Sequence, residues 1–490
     1  MSAVCVLPVV AVSDAVAPGL APASEPMSAF ALGRRSLVYA LGGLAYKGVA
    51  LLVVPILARL LTPAQLGLLD LAAVLATIVG LAAALGSDQG AAYLEPRADD
   101  DAGVWASTLA IIGTISAAAL IGVALVARPM AELLTGDPAN GVLVIAAALY
   151  GGVVALTTTA LNAIRLHGTP RSYAVASFAI VSVEMGAALV IAWAFEFPVI
   201  LMILAWAGGA LLVVVPLLLR YVPRFGRPRM ATVRRLAAFG MPLLPAAMAW
   251  LVGDAWIRAT LAREVELGAL GEYGIGYRIA SVIALGVTGF GVAWQPYIYR
   301  SPSGAVAERA TGMLTYLVLA LGALSVALTA LAPEVIAVVA GDSYAGATAV
   351  VAPLSAGAVA LGAFVLVAAV VGASGSTRRV AVAALMGLAV QLLAAGPLIE
   401  PIGLAGAGLA SLAGYLVAVA VLLIGERNLI SGRGGATLMM AAVVVAAGLA
   451  LAAASLDSGL LSRGALAVGF AATAAASAMV ARAVHRGGRS

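Results

Sequence analysis

The sequence RLLTPAQLGLLDL, residues 59–71, joins two long apolar segments at residues 36–61 and 67–87. Its arginine, threonine, proline and glutamine interrupt a chain that is strongly apolar on both sides. Each apolar segment reaches the length of about 20 residues that a helix needs to cross a bilayer core. The stretch therefore predicts a short connection between two membrane-spanning helices.

The same pattern continues along the chain. The apolar segments are longer than strands and lack the polar/apolar alternation of a lipid-facing barrel, so we expect helices. The predicted fold class is an all-α polytopic membrane protein with about fourteen transmembrane helices. The predicted spans are residues 36–61, 67–87, 102–127, 141–163, 174–195, 198–219, 236–260, 274–294, 312–331, 345–371, 380–399, 402–424, 436–454 and 464–480.

Composition indicates the same class and excludes others. The chain has 490 residues, of which 63% are hydrophobic and 10% charged, whereas soluble domains are about 45–50% apolar and about 25% charged. One cysteine excludes a disulfide framework and a thiolate cluster, and two histidines argue against a metal site or His-centred catalysis. Since ATP-binding and metallohydrolase motifs are also absent, we expect a transporter and not an enzyme.

The basic residues predict the orientation in the membrane. They comprise 26 arginines and a single lysine, Lys47. With the N-terminus in the cytoplasm, twenty of the 27 fall on the inner side and at most five on the outer side, as the positive-inside rule requires. Both termini are therefore expected in the cytoplasm. Residues 1–33 are predicted to be a disordered tail, and Met27 is a possible true start because residues 1–26 contain no Lys or Arg.

The two halves of the chain correspond at an offset of 207 residues. An even separation of six spans gives both halves the same orientation, which makes a parallel repeat. We predict an N-lobe at 34–230, a C-lobe at 231–430, and two extra helices with a cytoplasmic tail at 431–490. A duplicated scaffold is the alternative to a carrier. The matched pairs are Leu66-Gly67 with Tyr273-Gly274, Gly168–Arg171 with Gly375–Arg378, Arg220 with Arg427, and, at an offset of 205, Gly136-Asp137 with Gly341-Asp342.

Ionisable residues inside the predicted spans are costly and therefore point to function. Lys47 in span 1 corresponds to Asp254 in span 7, and Glu184 in span 5 corresponds to Gln391 in span 11. Matched polar positions at the centre of both lobes predict a lined cavity. Arg278 lies in the outer half of span 8.

Each of these charges also has a structural interpretation. Lys47 and Asp254 could form an ion pair that locks two spans together. Asp254 and Arg258, four residues apart, could neutralise each other. Glu184 could be a protonated, hydrogen-bonded acid, which would equally suit an ion-coupling site. Asp70 lies near the predicted start of its span, where we expect it to be solvated.

The sequence resembles a known family. The stretch at 59–71 is similar to the first-loop signature of polysaccharide-biosynthesis flippases, bacterial exporters in the multidrug/oligosaccharidyl-lipid/polysaccharide superfamily. The segments FGMPLLP (239–245), GEYG (271–274) and YRIA (277–280) agree with it. The resemblance covers about residues 34–430, and fourteen spans also match that family.

The resemblance implies a carrier in the bacterial plasma membrane. It would move polyprenyl-pyrophosphate-linked oligosaccharide from the cytoplasmic to the outer leaflet by alternating access, for surface polysaccharide biosynthesis. From their positions, the residues expected to contact pyrophosphate are Lys47 and Arg278 first, then Arg258 and Arg59. The candidates for proton or sodium coupling are Glu184, Asp254 and Asp70.

The resemblance also implies partners and a driving force. The partners expected are the lipid-linked oligosaccharide, membrane lipids, a polysaccharide polymerase and a chain-length regulator, with no nucleic acid. No cofactor is expected, and a proton or sodium gradient or the membrane potential would drive transport. An ion-coupled drug or cation exporter and a lipid II flippase are alternatives. A glycan polymerase or ligase is disfavoured because the outer connections are short. The oligosaccharide, the coupling ion and the oligomeric state stay open.

Overall fold

The structure is a computed structural model of the chain. It describes residues 55–95, 103–222, 226–287, 303–373 and 377–425, apart from 197, 242 and 243, together with Val49, Val53, Phe290 and Gly448. Every regular element in this described part is helical. The predicted tail at 1–33, Lys47, and the two C-terminal spans apart from Gly448 lie outside the described residues.

The described residues form two compact units that divide after Gly271. The first unit contains α1 (Pro63–Ala84), α2 (Ser87–Leu94), α3 (Val104–Leu125), α4 (Ala127–Thr135), α5 (Gly141–His167), α6 (Pro170–Ala194), α7 (Val199–Tyr221), α8 (Met230–Gly240) and α9 (Leu244–Glu264). Helix α10 (Leu267–Ala280) begins in the first unit and ends in the second. The second unit continues with α11 (Ser303–Ala330), α12 (Ala332–Val339), α13 (Thr348–Ala373) and α14 (Thr377–Gly425). The lobe boundaries at 230 and 430 stay predictions.

Several helices have the length and composition of membrane spans. Seven helices in the described part are long and apolar enough to cross a membrane, or eight if a pair bent by 62° near Leu331 forms one span. Helices α3, α5, α6 and α7 agree closely with the spans predicted at 102–127, 141–163, 174–195 and 198–219. The described part is thus all-helical, and the chain is a multi-span membrane protein.

The polar stretch at 59–71 builds the start of α1. The Thr62 hydroxyl accepts a hydrogen bond from the backbone N–H of Gln65 at 3.3 Å, and the Gln65 side chain accepts from the backbone N–H of Thr62 at 3.0 Å. Pro63 occupies the first helical position, where its missing N–H costs nothing. This capping box satisfies two N–H groups that would otherwise lack partners at the helix end.

Glycines allow α1 to contact two other helices closely. A Cβ atom at Gly80 would lie 2.8 Å from the carbonyl oxygen of Gly151 on α5. At the other end of α1, a Cβ atom at Gly67 would lie 2.7 Å from the backbone nitrogen of Gly271 on α10. Backbones this close leave no room for a side chain. The glycine of the 59–71 stretch is therefore a packing residue.

The predicted span at 236–260 is occupied by the end of α8 and most of α9. Residues 242 and 243, between the two helices, lie outside the described residues. Gly240, the last residue of α8, lies against the backbone of Leu85 and Gly86. Helix α8 buries Thr232, Leu236 and Gly240, one residue per turn.

Both units contain the same succession of elements. A long helix is followed by a short helix, a 3₁₀ segment and two long helices, once from α3 and once from α11. Helices α5 and α13 begin 207 residues apart, and so do α6 and α14. Gly136 and Gly341, matched from the sequence, both have positive φ angles, 72° and 84°. These helix starts agree with the offset read from the sequence.

The last described helix of the second unit, apart from Gly448, forms a helical hairpin. Helix α14 is interrupted at Gly403, which has φ 54° and ψ −127°, and the two halves then run past each other. A Cβ atom at Gly414 would lie 2.7 Å from the carbonyl oxygen of Gly387, on the opposite half. The break falls beside the boundary predicted between residues 399 and 402. Only glycine tolerates such a backbone conformation without strain.

Candidate functional site

A buried ion cluster joins α1 to α9 in the first unit. Nε and Nη2 of Arg258 donate to the same carboxylate oxygen of Asp70, at 3.0 and 2.8 Å. Nη1 of Arg258 contacts the carboxylate of Asp254, one helical turn earlier on α9. The same nitrogen donates to the Asp254 backbone carbonyl at 3.4 Å. We call Asp70, Asp254 and Arg258 the acid–arginine triad.

The triad is withdrawn from solvent. Arg258 is 1% exposed, and Asp70 and Asp254 are each 5% exposed. The planar guanidinium can meet two carboxylates at once because it offers five N–H donors in a rigid fork. A buried charge of this kind is costly unless it is paired, so the three side chains depend on each other.

The triad changes the interpretation of two predicted residues. Asp70 was expected to be solvated near a helix start; that expectation was wrong, because its carboxylate is buried against Arg258. The predicted neutralisation of Asp254 by Arg258 is present in the structure. Arg258 was also expected to contact pyrophosphate. That role stays a prediction, and it requires the triad to open because the guanidinium already faces two carboxylates.

A second polar cluster lies within the first unit. Glu184 on α6 is 2% exposed, and its Oε1 accepts a hydrogen bond from the hydroxyl of Tyr150 on α5 at 3.0 Å. The Tyr150 ring lies 5.7 Å from the ring of Trp206 on α7, measured between centroids. Glu184 Oε2 and Trp206 Nε1 are both buried and have no hydrogen-bond partner among the described residues. Three helices thus surround one carboxyl group.

The matched position in the second unit carries an amide. Gln391 on the first half of α14 is fully buried, and its Nε2 donates to Ser411 on the second half at 3.4 Å. Its Oε1 has no partner among the described residues. Glu184 and Gln391 therefore share burial, a single hydrogen bond and one oxygen without a partner.

The remaining predicted cations differ in their surroundings. Arg278 on α10 is partly buried and close enough to Tyr344 to interact electrostatically with it. Arg59 is exposed, just before α1. Lys47 lies outside the described residues, so its predicted pairing with Asp254 is untested. The structure brings Asp70, Asp254 and Arg258 together and places Glu184 in a different cluster.

Sequence reasoning missed several polar residues. Tyr150 and Trp206 carried no signal beyond their position in apolar spans. Asp88 on α2 accepts a hydrogen bond from the Asn162 side chain on α5 at 2.8 Å, and both are buried. An amide within the predicted span 141–163 was the available clue to that pair. In the described part of the chain, no group of three His, Cys, Asp or Glu side chains converges to hold a metal ion.

Comparison with known proteins identifies the family of the chain. A family model described as "Polysaccharide biosynthesis protein" matches residues 32–301, more than half of the chain. The chain belongs to this polysaccharide biosynthesis family. A search of curated protein sequences found no significant match.

Solved structures show the same fold. The lipid II flippase MurJ, in an inward closed conformation, is 9% identical with a TM-score of 0.66, covering 89% of this chain and 98% of MurJ. The MATE multidrug transporter DinF-BH is 17% identical with a TM-score of 0.60, and the match covers 83% of this chain and 98% of the DinF-BH chain. A mutant of the Vibrio cholerae MATE transporter VcmN is 15% identical with a TM-score of 0.54, and the match covers 83% of this chain and 97% of the VcmN chain.

The chain is thus a multi-span membrane protein of the polysaccharide biosynthesis family, and its fold is similar to those of MurJ and the MATE transporters. Within its described helices, the acid–arginine triad and the Glu184 cluster are two buried groups of polar side chains.

Proposed function

We propose that this protein flips polyprenyl-pyrophosphate-linked oligosaccharide from the cytoplasmic to the outer leaflet of the bacterial plasma membrane. The product would supply the synthesis of exopolysaccharide, capsule or O-antigen. The family match over residues 32–301 is the observation that carries the proposal. The fold supports it, because the lipid II flippase MurJ has a similar fold, with a TM-score of 0.66.

The chemistry of the substrate explains which side chains would bind it. A pyrophosphate carries negative charge and needs cations, and arginine matches phosphate oxygens with paired N–H donors. Arg278 is our first choice together with Lys47, because a partly buried guanidinium gains more from an anion than an exposed one. Arg59 is exposed and ranks behind them. Arg258 would take part only in a state in which it has left Asp70 and Asp254.

An ion gradient or the membrane potential would drive the cycle. Glu184, Asp254 and Asp70 are the candidates for coupling to protons or sodium. Asp70 and Asp254 both form ion pairs with Arg258. Glu184 has a neutral tyrosine as its partner, which leaves it as the strongest candidate.

The proposal includes an orientation and partners. Both termini would lie in the cytoplasm, as the distribution of basic residues predicts. A polysaccharide polymerase and a chain-length regulator would act on the flipped product at the outer leaflet. The ion gradient or the membrane potential would supply the energy for transport, and the proposal includes no cofactor.

Deletion of the gene tests the proposed substrate. Lipid-linked glycans are extracted, and their sidedness is determined with a membrane-impermeant label on inverted and intact vesicles. We expect undecaprenyl-linked oligosaccharide to accumulate on the cytoplasmic side and surface polysaccharide to disappear. Restoring the wild-type gene should reverse both effects.

Two other outcomes would point to the alternatives. Sensitivity of the deletion strain to cationic dyes, with normal glycans, would replace the proposal with a drug or cation exporter. Accumulation of lipid II with loss of cell-wall synthesis would indicate a lipid II flippase.

A further inference from the structure

Two buried side chains occupy the same place in two copies of one structural repeat. Glu184 is the fifteenth residue of α6, and Gln391 is the fifteenth residue of α14. Both side chains are buried, and each retains one oxygen with no partner among the described residues. The two side chains have the same shape, but only glutamate can bind and release a proton.

Near Glu184 and Gln391, a tyrosine and a glycine exchange positions between the two repeats. Tyr150 on α5 corresponds, at an offset of 207, to Gly357 on α13. In the second unit the space beside Gly357 is occupied by Tyr415, whose ring would lie 3.3 Å from a Cβ atom there. The counterpart of Tyr415 in the first unit is Gly208. Each repeat thus contains one tyrosine and one glycine at these positions, but only in the first does the tyrosine come from α5 and donate to the acid.

The groups around Glu184 suit a proton. In the described part of the chain, Tyr150 is the ionisable side chain in contact with Glu184. Trp206 is not titratable, and its indole N–H offers a donor and no oxygen ligand. No cluster of acidic or histidine side chains that would hold a metal ion is found among the described residues. A buried carboxylate without a cation is costly, and a proton removes that cost without needing space.

A second hydroxyl lies along the same face of α6. Ser177 is seven residues before Glu184, two turns nearer the helix end that the proposed orientation places in the cytoplasm. Its Oγ is buried and has no hydrogen-bond partner among the described residues. A hydroxyl can accept and donate a proton, but Ser177 lies about 10 Å along the helix from Glu184, so water molecules would have to complete a relay between them.

We propose that Glu184 is the proton-binding group of the transport cycle, and that Gln391 is its permanently neutral counterpart, so that this position titrates in one repeat only. Oε2 of Glu184 takes a proton from water reached from the outer side and returns it to water on the cytoplasmic side. Tyr150 is a positioning residue that holds Oε1. The proposal rests on the proposed function for its role in export, but not for the protonation itself.

Infrared spectroscopy tests the protonation directly. Purified full-length protein is reconstituted in lipid vesicles, and difference spectra are recorded between acidic and alkaline buffer, with and without sodium. We expect a band of a buried carboxylic acid that Glu184→Gln removes and that sodium does not alter. Gln391→Glu should add a second such band. Glu132→Gln changes an exposed carboxylate on α4 and should leave the buried band in place.

The transport readout separates this proposal from the proposed function. With the pyrophosphate-linked oligosaccharide as probe, an imposed proton gradient should accelerate flipping by the wild type, and Glu184→Gln should lose that response. A band that survives Glu184→Gln, or a band that sodium removes, would overturn the proton assignment even if flipping is observed. If the band behaves as expected but the probe is not flipped, the proposed substrate fails while the proton site stands.

Discussion

Asp70 and Arg258 are 188 residues apart in the chain and are joined by two hydrogen bonds, with donor–acceptor distances of 2.8 and 3.0 Å. The pair ties α1, which begins within the stretch at 59–71, to α9. Asp254 adds a second carboxylate to the same guanidinium. Because all three are buried, the charges hold the two helices in one arrangement, and any state that separates the helices must supply other partners.

Removing the arginine from the triad should destabilise the protein strongly. Arg258→Gln leaves two carboxylates buried without their cation, and loss of one partner of a buried ion pair costs about 3–5 kcal/mol. We expect a large fall in the thermal unfolding temperature in detergent. Adding Asp70→Asn to Arg258→Gln should recover part of the loss, because it removes one of the stranded charges. If Arg258→Gln unfolds at the wild-type temperature, the triad does not hold these helices together.

The close contact between Gly67 on α1 and Gly271 on α10 should not tolerate an added methyl group. A Cβ atom at Gly67 would overlap Leu270 and lie 2.7 Å from the nitrogen of Gly271. We expect Gly67→Ala to lower stability by about 1–3 kcal/mol, the usual cost of overpacking. Gly208→Ala is the matched control, since nothing lies within 4 Å of its Cβ position. Equal unfolding temperatures for the two variants would argue against this close packing.

Loss of the Tyr150 hydroxyl should affect stability and proton coupling together. Tyr150→Phe keeps the ring against Trp206 but leaves both oxygens of Glu184 without that donor. We expect a loss of about 1–3 kcal/mol, typical of an unsatisfied buried polar group. The infrared band of Glu184 should also move. Tyr173→Phe removes a solvent-exposed hydrogen bond from Arg165 and should cost less; an unmoved band in Tyr150→Phe would contradict the assigned contact.

Replacement of Arg278 should impair export without impairing insertion. A charge-assisted hydrogen bond to phosphate is worth about 1.5–3 kcal/mol, so Arg278→Ala should slow flipping roughly ten- to hundred-fold. Membrane levels of the protein are measured in parallel. Arg128→Ala, an exposed arginine on α4, is the control and should flip normally. Normal export by Arg278→Ala would remove Arg278 from the pyrophosphate site.

Regular features of the fold could be predicted because they follow from local patterns. Apolar segments of bilayer length gave the positions of α3, α5, α6 and α7 within a few residues. The offset between the halves identified Gly136 and Gly341 as equivalent, and both adopt the positive φ angle that glycine allows.

The candidate site was predictable only in part. The spacing of four residues between Asp254 and Arg258 indicated a pair on one helix face. Asp70 could not be joined to them, because the contact depends on how α1 and α9 pack and not on any sequence spacing. The contact between Tyr150 and Glu184 could not be predicted either, because it depends on how α5 and α6 pack. Glu184 could be singled out because a lone carboxylate within an apolar span is conspicuous.

The most direct test of the proposed function is flipping by the purified protein. Full-length protein is reconstituted in vesicles that contain polyprenyl-pyrophosphate-linked oligosaccharide, and the fraction of glycan accessible to an added glycosidase is followed over time. The account predicts that the protein makes the glycan of the inner leaflet accessible, with Arg278→Ala slower and Arg128→Ala unchanged. Accessibility that stays at the outer-leaflet fraction, in vesicles where the same protein expels a cationic dye, would contradict it.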